Sequence, residues 1–429
     1  MSILVVSYEF TYSPFSGNGV LARSLVKGLL SCGLRVVVIC AKPHEDNAGR
    51  DHPICSPEVP PDQEASLLVL PVTITADMGW RRLDARAAHQ AFATGAAAMV
   101  TRVSAELAVA PTTVAIDWTG GGAWIVMRDA WPATLPPPRC LYINFRVYSS
   151  GIAANADPPS TWYDDKERAC LSMASHVLAL SKRDQASLLA LLAPPAAPPV
   201  TVLLPCLRGD MAALAARSTA EHVAHLCTAA TAALPAPGAA TRRVFVACVN
   251  RLSAEKNSMR FAELLEAIGP NALASRGLVP LLCGAAAEPE YAAEVRRRVK
   301  AAAPRAVLLD HHLGPDEMAA LFAHTALNLH PCAYDAYGMS VVEAAAFGAP
   351  SLVNGDETIG ATALLGDGCV QAALAVGDAR AAADVLLATL DDQAALDEVA
   401  ERGRERALGW GEEAAGRALH EIVKRISVE

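Results

Sequence analysis

The sequence predicts an α/β protein made of two doubly wound domains, each a mostly parallel sheet with helices on both faces. Three observations carry this. Short apolar runs alternate with amphipathic helical stretches along most of the chain. The alternation lapses in an alanine- and proline-rich region, Leu189 to Ala240, and then restarts. The length, 429 residues, also exceeds what one ordinary core organises. Hydrophobic residues make up 52% and charged residues 19%, a balance that suits well-covered sheets and not disorder.

Taken in order, Ile3 to Val6 reads as a strand, Gly19 to Leu30 as an amphipathic helix ended by Gly33, and Arg35 to Cys40 as a second strand, which together form a β-α-β unit. The loop before that helix runs from Tyr8 to Asn18 and closes on Gly17-Asn18-Gly19. Its G-x-G-x-x-A spacing is that of a dinucleotide-binding dehydrogenase. That fingerprint starts directly at a strand end, whereas about ten residues intervene here, and the second strand ends Cys40-Ala41-Lys42 with no acid. Further strands are expected at Leu67 to Leu70, Thr113 to Ile116, Cys140 to Ile143, Val177 to Leu180 and Val200 to Leu204, with helices at Asp84 to Leu107 and Asp164 to Ala174. Small or polar residues follow several strand ends, as at Asp117-Trp118-Thr119-Gly120 and Asn144-Phe145-Arg146. Ligands bind beyond the carboxyl ends of strands in open parallel sheets, so these residues are candidates for a pocket wall.

The first domain is expected over residues 1–206, followed by a linker region with one helical stretch over 207–240. A second domain is expected over 241–408 and a C-terminal helix, packing back towards the first, over 409–429. The second domain reads as strand Val244 to Val249, helix Ser258 to Ile268, strand Val279 to Cys283, helix Pro289 to Ala302, strand Ala306 to Leu309, helix Pro315 to Ala323 and strand Ala326 to Leu329. Arg380 to Val428 reads as nearly continuous helix with breaks near Gly409 and Gly411.

The formal net charge of −9 argues against a nucleic-acid or anionic-membrane surface, so any phosphate site must be local. Eleven scattered cysteines include no C-x-x-C pair, which fits reduced thiols and neither a zinc site nor a disulfide ladder. Ile3-Leu4-Val5-Val6 is too short for a signal-peptide core, and the apolar tract Leu188 to Leu204 is broken by prolines. A cytoplasmic protein without a transmembrane segment is expected.

The chemistry concentrates in His330 to Pro350. A buried strand, a loop and a helix N-terminus meet there, a junction that aims backbone N–H groups and the positive end of a dipole at an anion. Asp335 in the loop and Glu343 in the helix add carboxylates, which accept from hydroxyls and cannot accept from phosphate oxygens, so a ligand with both phosphates and sugar hydroxyls is indicated. Arg251 and Lys256 follow the first strand of the second domain and suit a diphosphate, Arg by bidentate bonding and Lys as a point charge. Plainer readings stand beside these. Glu255 and Lys256 also fit a solvated helix start, Ser340 with Glu343 forms an S-x-x-E capping box, and His330 reads as a packed strand-end residue. The pair His311-His312 reads as surface, and Arg208-Gly209-Asp210 carries no functional weight.

On these residues the chain resembles the retaining GT-B glycosyltransferases of family 4 (glycosyl transferases group 1). The resemblance rests on Arg251-x4-Lys256, the acid-x7-acid stretch from Asp335 to Glu343 with Gly338 inside it, the Gly17 to Gly19 loop, and Gly284 after the Val279 strand. It implies two Rossmann-like domains facing a central cleft and a donor that is a UDP-, GDP- or ADP-linked sugar. By the resemblance, Arg251 and Lys256 neutralise the diphosphate, Glu343 binds the ribose and Asp335 holds a sugar hydroxyl. Backbone amides at Gly338, Met339 and Ser340, and at Gly17, Asn18 and Gly19, add to phosphate binding, and no metal or other cofactor is required. Two departures stand out. The family's first acid is usually Glu, and here it is Asp335. Many members carry a histidine in the first domain, where this chain has Thr119 and Arg146, so Asp117, Asn144 and Arg146 are the candidates for the wall facing an unknown acceptor. A sugar-nucleotide-binding protein without transfer activity is the alternative these departures leave open.

Overall fold

The computed structural model describes residues 1–10, 16–43, 59–75, 86–107, 112–136, 138–148, 162–192, 197–234, 243–311, 313–355 and 357–428. The chain packs as two compact units. Met1–Cys206 joins Glu412–Glu429 in the first, and Leu207–Gly411 forms the second.

The first unit holds seven strands: β1 (Ser2–Ser7), β2 (Arg35–Pro43), β3 (Leu67–Ile74), β4 (Thr112–Ile116), β5 (Cys140–Asn144), β6 (His176–Ala179) and β7 (Val200–Val202). They form one sheet in the order β3-β2-β1-β4-β5-β6-β7, every pair parallel. Ile3, Leu4 and Val6 of β1 and Val36 to Ile39 of β2 are wholly buried, as continuous apolar strands must be when both faces are covered. The helix Glu412–Val428 lies against the helix Gly17–Ser31, where a methyl on Gly28 or Gly416 would overlap the other's backbone. Ser24 Oγ donates to Glu412 Oε1 at 3.0 Å, and Arg139 donates to the Ile426 carbonyl at 2.6 Å, which anchors both ends of that helix.

The second unit has six parallel strands: β8 (Phe245–Val249), β9 (Val279–Cys283), β10 (Val307–Leu309), β11 (Thr325–His330), β12 (Ser351–Asn354) and β13 (Val370–Ala372). Their order is β10-β9-β8-β11-β12-β13. Each sheet therefore grows outward on one side of its first strand and then on the other. The switch points fall between β1 and β4 and between β8 and β11, where an open sheet leaves a crevice at its carboxyl edge.

The structure departs from the sequence reading in several places. Asp117–Asp129, noted above only for the small and polar residues after a strand end, is a helix that contains three glycines. The glycines are there for close approach, because a methyl on Gly120 would overlap the Val6 carbonyl and one on Gly121 the Cys170 sulfur. The helix expected from Asp84 divides at Met99 into Arg86–Ala98 and Val100–Leu107, and Asp84 itself lies outside the described residues. Gly17, Asn18 and Gly19 are the first turn of a helix and not a loop, since Ser16 Oγ caps it by accepting from Asn18 N at 3.1 Å. The C-terminal helical run breaks at Asp392, whose side chain caps the helix Gln393–Gly409 through Ala395 N at 3.0 Å. Strands β12 and β13 are additional to those expected from the sequence.

Candidate functional site

The second unit's switch point gathers the residues singled out beyond β8 and β11. After β8 the chain makes a tight turn at Ala254–Lys256 and passes through Asn257, whose φ of 51° is left-handed, into the helix Ser258–Ile268. Asn257 suits that backbone, and its Nδ2 donates to the carbonyls of Pro331 at 3.1 Å and Ala375 at 3.0 Å. This fastens the β8 turn to the segment after β11. Lys256 is thereby held against Asp335, with Nζ donating to Oδ2 at 2.7 Å and both side chains only 15% exposed. Asp335 is fixed from the other side by its backbone, which receives from Gly360 N and donates to the Thr358 carbonyl, each at 3.0 Å.

His330, the last residue of β11, also meets Asp335 Oδ2, with Nε2 at 3.2 Å. The histidine is packed as expected, yet it is also a member of the charged cluster. Burial alone would pull Asp335 up, but the Lys256 ammonium and the His330 bond outweigh it and hold the carboxyl well below its usual range. Burial likewise pulls Lys256 and His330 down, and on balance both are raised, Lys256 by Asp335 and His330 by Cys332 and Asp335. His330, Cys332 and Asp335 each bring one potential metal-ligand atom within 4.8 Å of the others. The Lys256 ammonium already sits on the Asp335 oxygen at 2.7 Å, so the carboxylate's cation is supplied by the chain.

The helix Met339–Ala346 begins one residue after Gly338, whose φ of 85° makes it the N-cap. The expected capping box is therefore absent: Ser340 lies inside the helix, and the N-cap has no side-chain hydrogen bond. Gly338 is required on two counts, its left-handed backbone and the Ile359 methyl 3.1 Å from where a Cβ would stand. Without a capping role, Glu343 is left as a buried carboxylate raised by burial and opposed by Arg208. Arg208 Nη1 lies 3.5 Å from Glu343 Oε1 while its Nε and Nη2 clasp Asp210 at 2.9 and 2.8 Å. Arg208 of the Arg208-Gly209-Asp210 tripeptide thus bridges Glu343 and Asp210. No local signal in the sequence joins it to Glu343. We expect Arg208→Gln to raise the Glu343 pKa and to weaken any ligand whose hydroxyls Glu343 accepts, by roughly tenfold on the ~1.5 kcal/mol of a charged hydrogen bond. Titration of Glu343 by carbon-detected NMR and calorimetry with the ligand would check both effects.

Arg251 stands apart from this cluster. Its side chain is 46% exposed and lies 3.8 Å from Glu255, a loose surface pair that leaves it available to a ligand. Gly284, at the end of β9, sits where a methyl would overlap the Asn250 carbonyl. Gly284→Ala should therefore cost ~1–3 kcal/mol through displacement of the β8 turn, measurable as a lower urea midpoint with an unchanged m-value.

In the first unit, Asp117 and Asn144 sit at the carboxyl ends of β4 and β5, and Asn18 Nδ2 donates to Asp117 Oδ2 at 3.3 Å. Arg146 lies over the Tyr148 ring at 4.5 Å. Asp117 is 2% exposed with a φ of 61°, and burial, aided by Glu167 and Glu9 and opposed by the Trp118 N–H and Arg146, moves it up to about 7. His311 meets Glu317 at 3.1 Å on the surface, and His312 lies outside the described residues. Among the described residues no helix is long and apolar enough to cross a membrane.

Comparison with solved structures places this architecture. The chain is similar to sucrose-phosphate synthase from Thermosynechococcus elongatus, with 16% identity and a TM-score of 0.73 over 100% of this chain and 99% of that one. It is similar to Anabaena Alr3699/HepE in complex with UDP, with 15% identity and a TM-score of 0.67 over 99% and 100% of the two chains. It is also similar to an E. coli trehalose-6-phosphate structure bound with UDP-2-fluoro glucose, with 12% identity and a TM-score of 0.68 over 99% of each chain. The fold is the two-sheet GT-B architecture that the resemblance implied. No curated protein matches the sequence. The family described as Glycosyl transferases group 1 matches residues 243–392, the stretch that carries Arg251, Lys256, Asp335, Gly338 and Glu343.

Proposed function

We propose that the protein is a retaining glycosyltransferase that moves a sugar from a nucleoside-diphosphate sugar to a hydroxyl acceptor, without a metal. The observation that carries this reading is the Lys256–Asp335 pair at the β8/β11 switch point, beside the N-terminus of the helix Met339–Ala346. A diphosphate there would meet Lys256, the exposed Arg251 and the helix amides, and Glu343 would accept from the ribose. As the bond between anomeric carbon and phosphate oxygen breaks, its electron pair stays on the diphosphate, and these fixed positive groups stabilise the growing charge. The acceptor oxygen bonds to the same face of the anomeric carbon, and its proton passes to the departing phosphate oxygen. Support for a uridine donor comes from the UDP and UDP-2-fluoro glucose held by proteins of the same fold.

A second reading, a sugar-nucleotide-binding protein without transfer activity, is favoured by one feature. Lys256 and His330 both bond to Asp335 Oδ2, so one of the two carboxylate oxygens is already engaged. Thermal-shift screening against UDP, GDP, ADP and their sugars tests the shared part of both readings, since a ligand at ~100 times its dissociation constant adds about 2.7 kcal/mol. Arg251→Ala should weaken the nucleotide that scores by ~10–100-fold, the loss of one charge-assisted contact. Turnover with any member of a broad acceptor panel decides for the transferase, and binding without turnover decides for the second reading.

A further inference from the structure

His330, Cys332 and Asp335 bring three kinds of metal-binding atom to the carboxyl end of β11: an imidazole nitrogen, a sulfur and a carboxylate oxygen. The three atoms lie within 4.8 Å of one another, and among the described residues one set of this kind is found. A tetrahedral ion with bonds of ~2.0–2.3 Å holds its ligands roughly 3.2–3.8 Å apart, so closure on an ion asks for an inward movement of about 1 Å at most. His330 Nε2 and Asp335 Oδ2 already stand 3.2 Å apart. The spacing His-x-Cys-x2-Asp has none of the paired cysteines by which structural zinc sites show in a sequence, and it is the loop after β11 that gathers the three side chains.

The backbone that carries these atoms is fixed independently of any ion. His330 is held in the sheet by its pairing with Val353 of β12. Asn257 Nδ2 grips the Pro331 carbonyl between the first two ligands at 3.1 Å, and Asp335 is held through Gly360 N and the Thr358 carbonyl, each at 3.0 Å. Cys332 is wholly buried, and its sulfur donates weakly to the Lys256 carbonyl at 3.4 Å. The His330 side chain is 3% exposed and that of Asp335 15%, so the set is closed behind His330 and Cys332 and reaches solvent past Asp335. Three protein ligands with one open side leave a fourth position for water.

We propose that His330, Cys332 and Asp335 bind one borderline-soft divalent ion of the zinc and cobalt kind, which enters by displacing the Lys256 ammonium from Asp335. The proposal goes beyond the transferase reading and does not depend on it. The donor set chooses the ion, since thiolate and imidazole suit zinc and its neighbours whereas magnesium and calcium take oxygen ligands. On binding, the Cys332 sulfur and a ring nitrogen of His330 each give a lone pair to the ion, and the thiol proton, with any proton on that nitrogen, passes to solvent. Charge sets the competition at Asp335. Lys256 Nζ stands 2.7 Å from Oδ2, the oxygen that also meets His330. A dication on this carboxylate repels an ammonium at that distance, so the ion and the Lys256–Asp335 pair exclude each other. The ion is therefore an antagonist of whatever uses that pair and not a missing cofactor.

The test is titration of the full-length, nucleotide-free protein with cobalt(II) alone, followed by absorption in a buffer that does not chelate. One ion per chain should bind, with a thiolate-to-cobalt charge-transfer band in the near ultraviolet and the strong visible bands of a four-coordinate ion. Zinc should abolish both sets of bands and magnesium neither. Cys332→Ser should lose the charge-transfer band. His330→Gln should weaken binding by about tenfold or more, since even the loss of a group that only orients a ligand costs ~10–100-fold. Lys256→Met should tighten binding by ~10–150-fold, the equivalent of the charge-assisted hydrogen bond that the ion no longer has to break. Should that variant not fold, Lys256→Gln, which leaves Asp335 a donor without the charge, should tighten binding as well. No charge-transfer band in the wild type or in the Lys256 variant, a band that survives in Cys332→Ser, or unchanged affinity in the Lys256 variant would overturn the proposal. The titration contains no nucleotide, so its result stands whether or not the transferase reading does.

Discussion

Lys256→Met should lower both donor affinity and stability, and a second substitution should separate the two losses. The donor would lose a charge-assisted contact worth ~1.5–3 kcal/mol, or roughly 10–150-fold in its dissociation constant. The protein would lose the partner of a carboxylate that is only 15% exposed, and breaking a buried pair from one side costs ~3–5 kcal/mol, less what the His330 bond retains. Adding Asp335→Asn removes the stranded charge. The double variant should regain most of the urea midpoint while its nucleotide affinity stays low. If affinity returns together with stability, Lys256 acts only as a structural counter-ion, and its place on the diphosphate must be given up. The same comparison places Asp335, because the single Asp335→Ala variant should cut turnover more than nucleotide affinity if the carboxylate touches the sugar.

Asp117→Asn should stabilise the protein, and by an amount that depends on pH. The folded protein holds the Asp117 proton up to about 7, whereas an unfolded chain releases it near 4. Between those values the unfolded state binds fewer protons, so stability falls as pH rises, and the loss is complete above about 7. A shift of about three units corresponds to ~4 kcal/mol at most. Asparagine carries no charge to bury, and it accepts the left-handed backbone at least as well. Urea denaturation at pH 8 should therefore show a gain of a few kcal/mol that has largely gone at pH 4.5. An equal effect at both values would mean that strain or packing, not ionisation, sets the cost of this residue.

The reach of the sequence can be followed at these positions. The apolar strands and the restart of their alternation are local patterns, and they put β1, β2, β8, β9 and β11 where the structure has them. Arg251, Lys256, Asp335 and Glu343 were visible as types at spacings. Their partners were not. Lys256 meets Asp335 because β8 and β11 lie side by side, an adjacency that sheet order decides and spacing does not. Arg208 reaches Glu343 from 135 positions away in the chain (343 − 208 = 135), with nothing local to announce it. The capping box misled for a local reason of the opposite kind: the serine and glutamate fit the pattern, but Gly338 takes a backbone open to glycine and starts the helix before Ser340. The three glycines of Asp117–Asp129 weaken a helix in water, yet the helix forms because Gly120 lets it press against β1.

The close seating of the helix Glu412–Val428 on Gly17–Ser31 bears on how the polypeptide is made. Domains generally fold as units in the order they leave the ribosome. Here the unit begun first is completed last, since a helix of its packed core arrives only after the whole of Leu207–Gly411 has been synthesised. The second unit has all its strands in hand earlier and is free to form while the first still waits with the glycine face of its opening helix uncovered. A nascent chain of this protein should therefore become protease-resistant from its middle before its beginning.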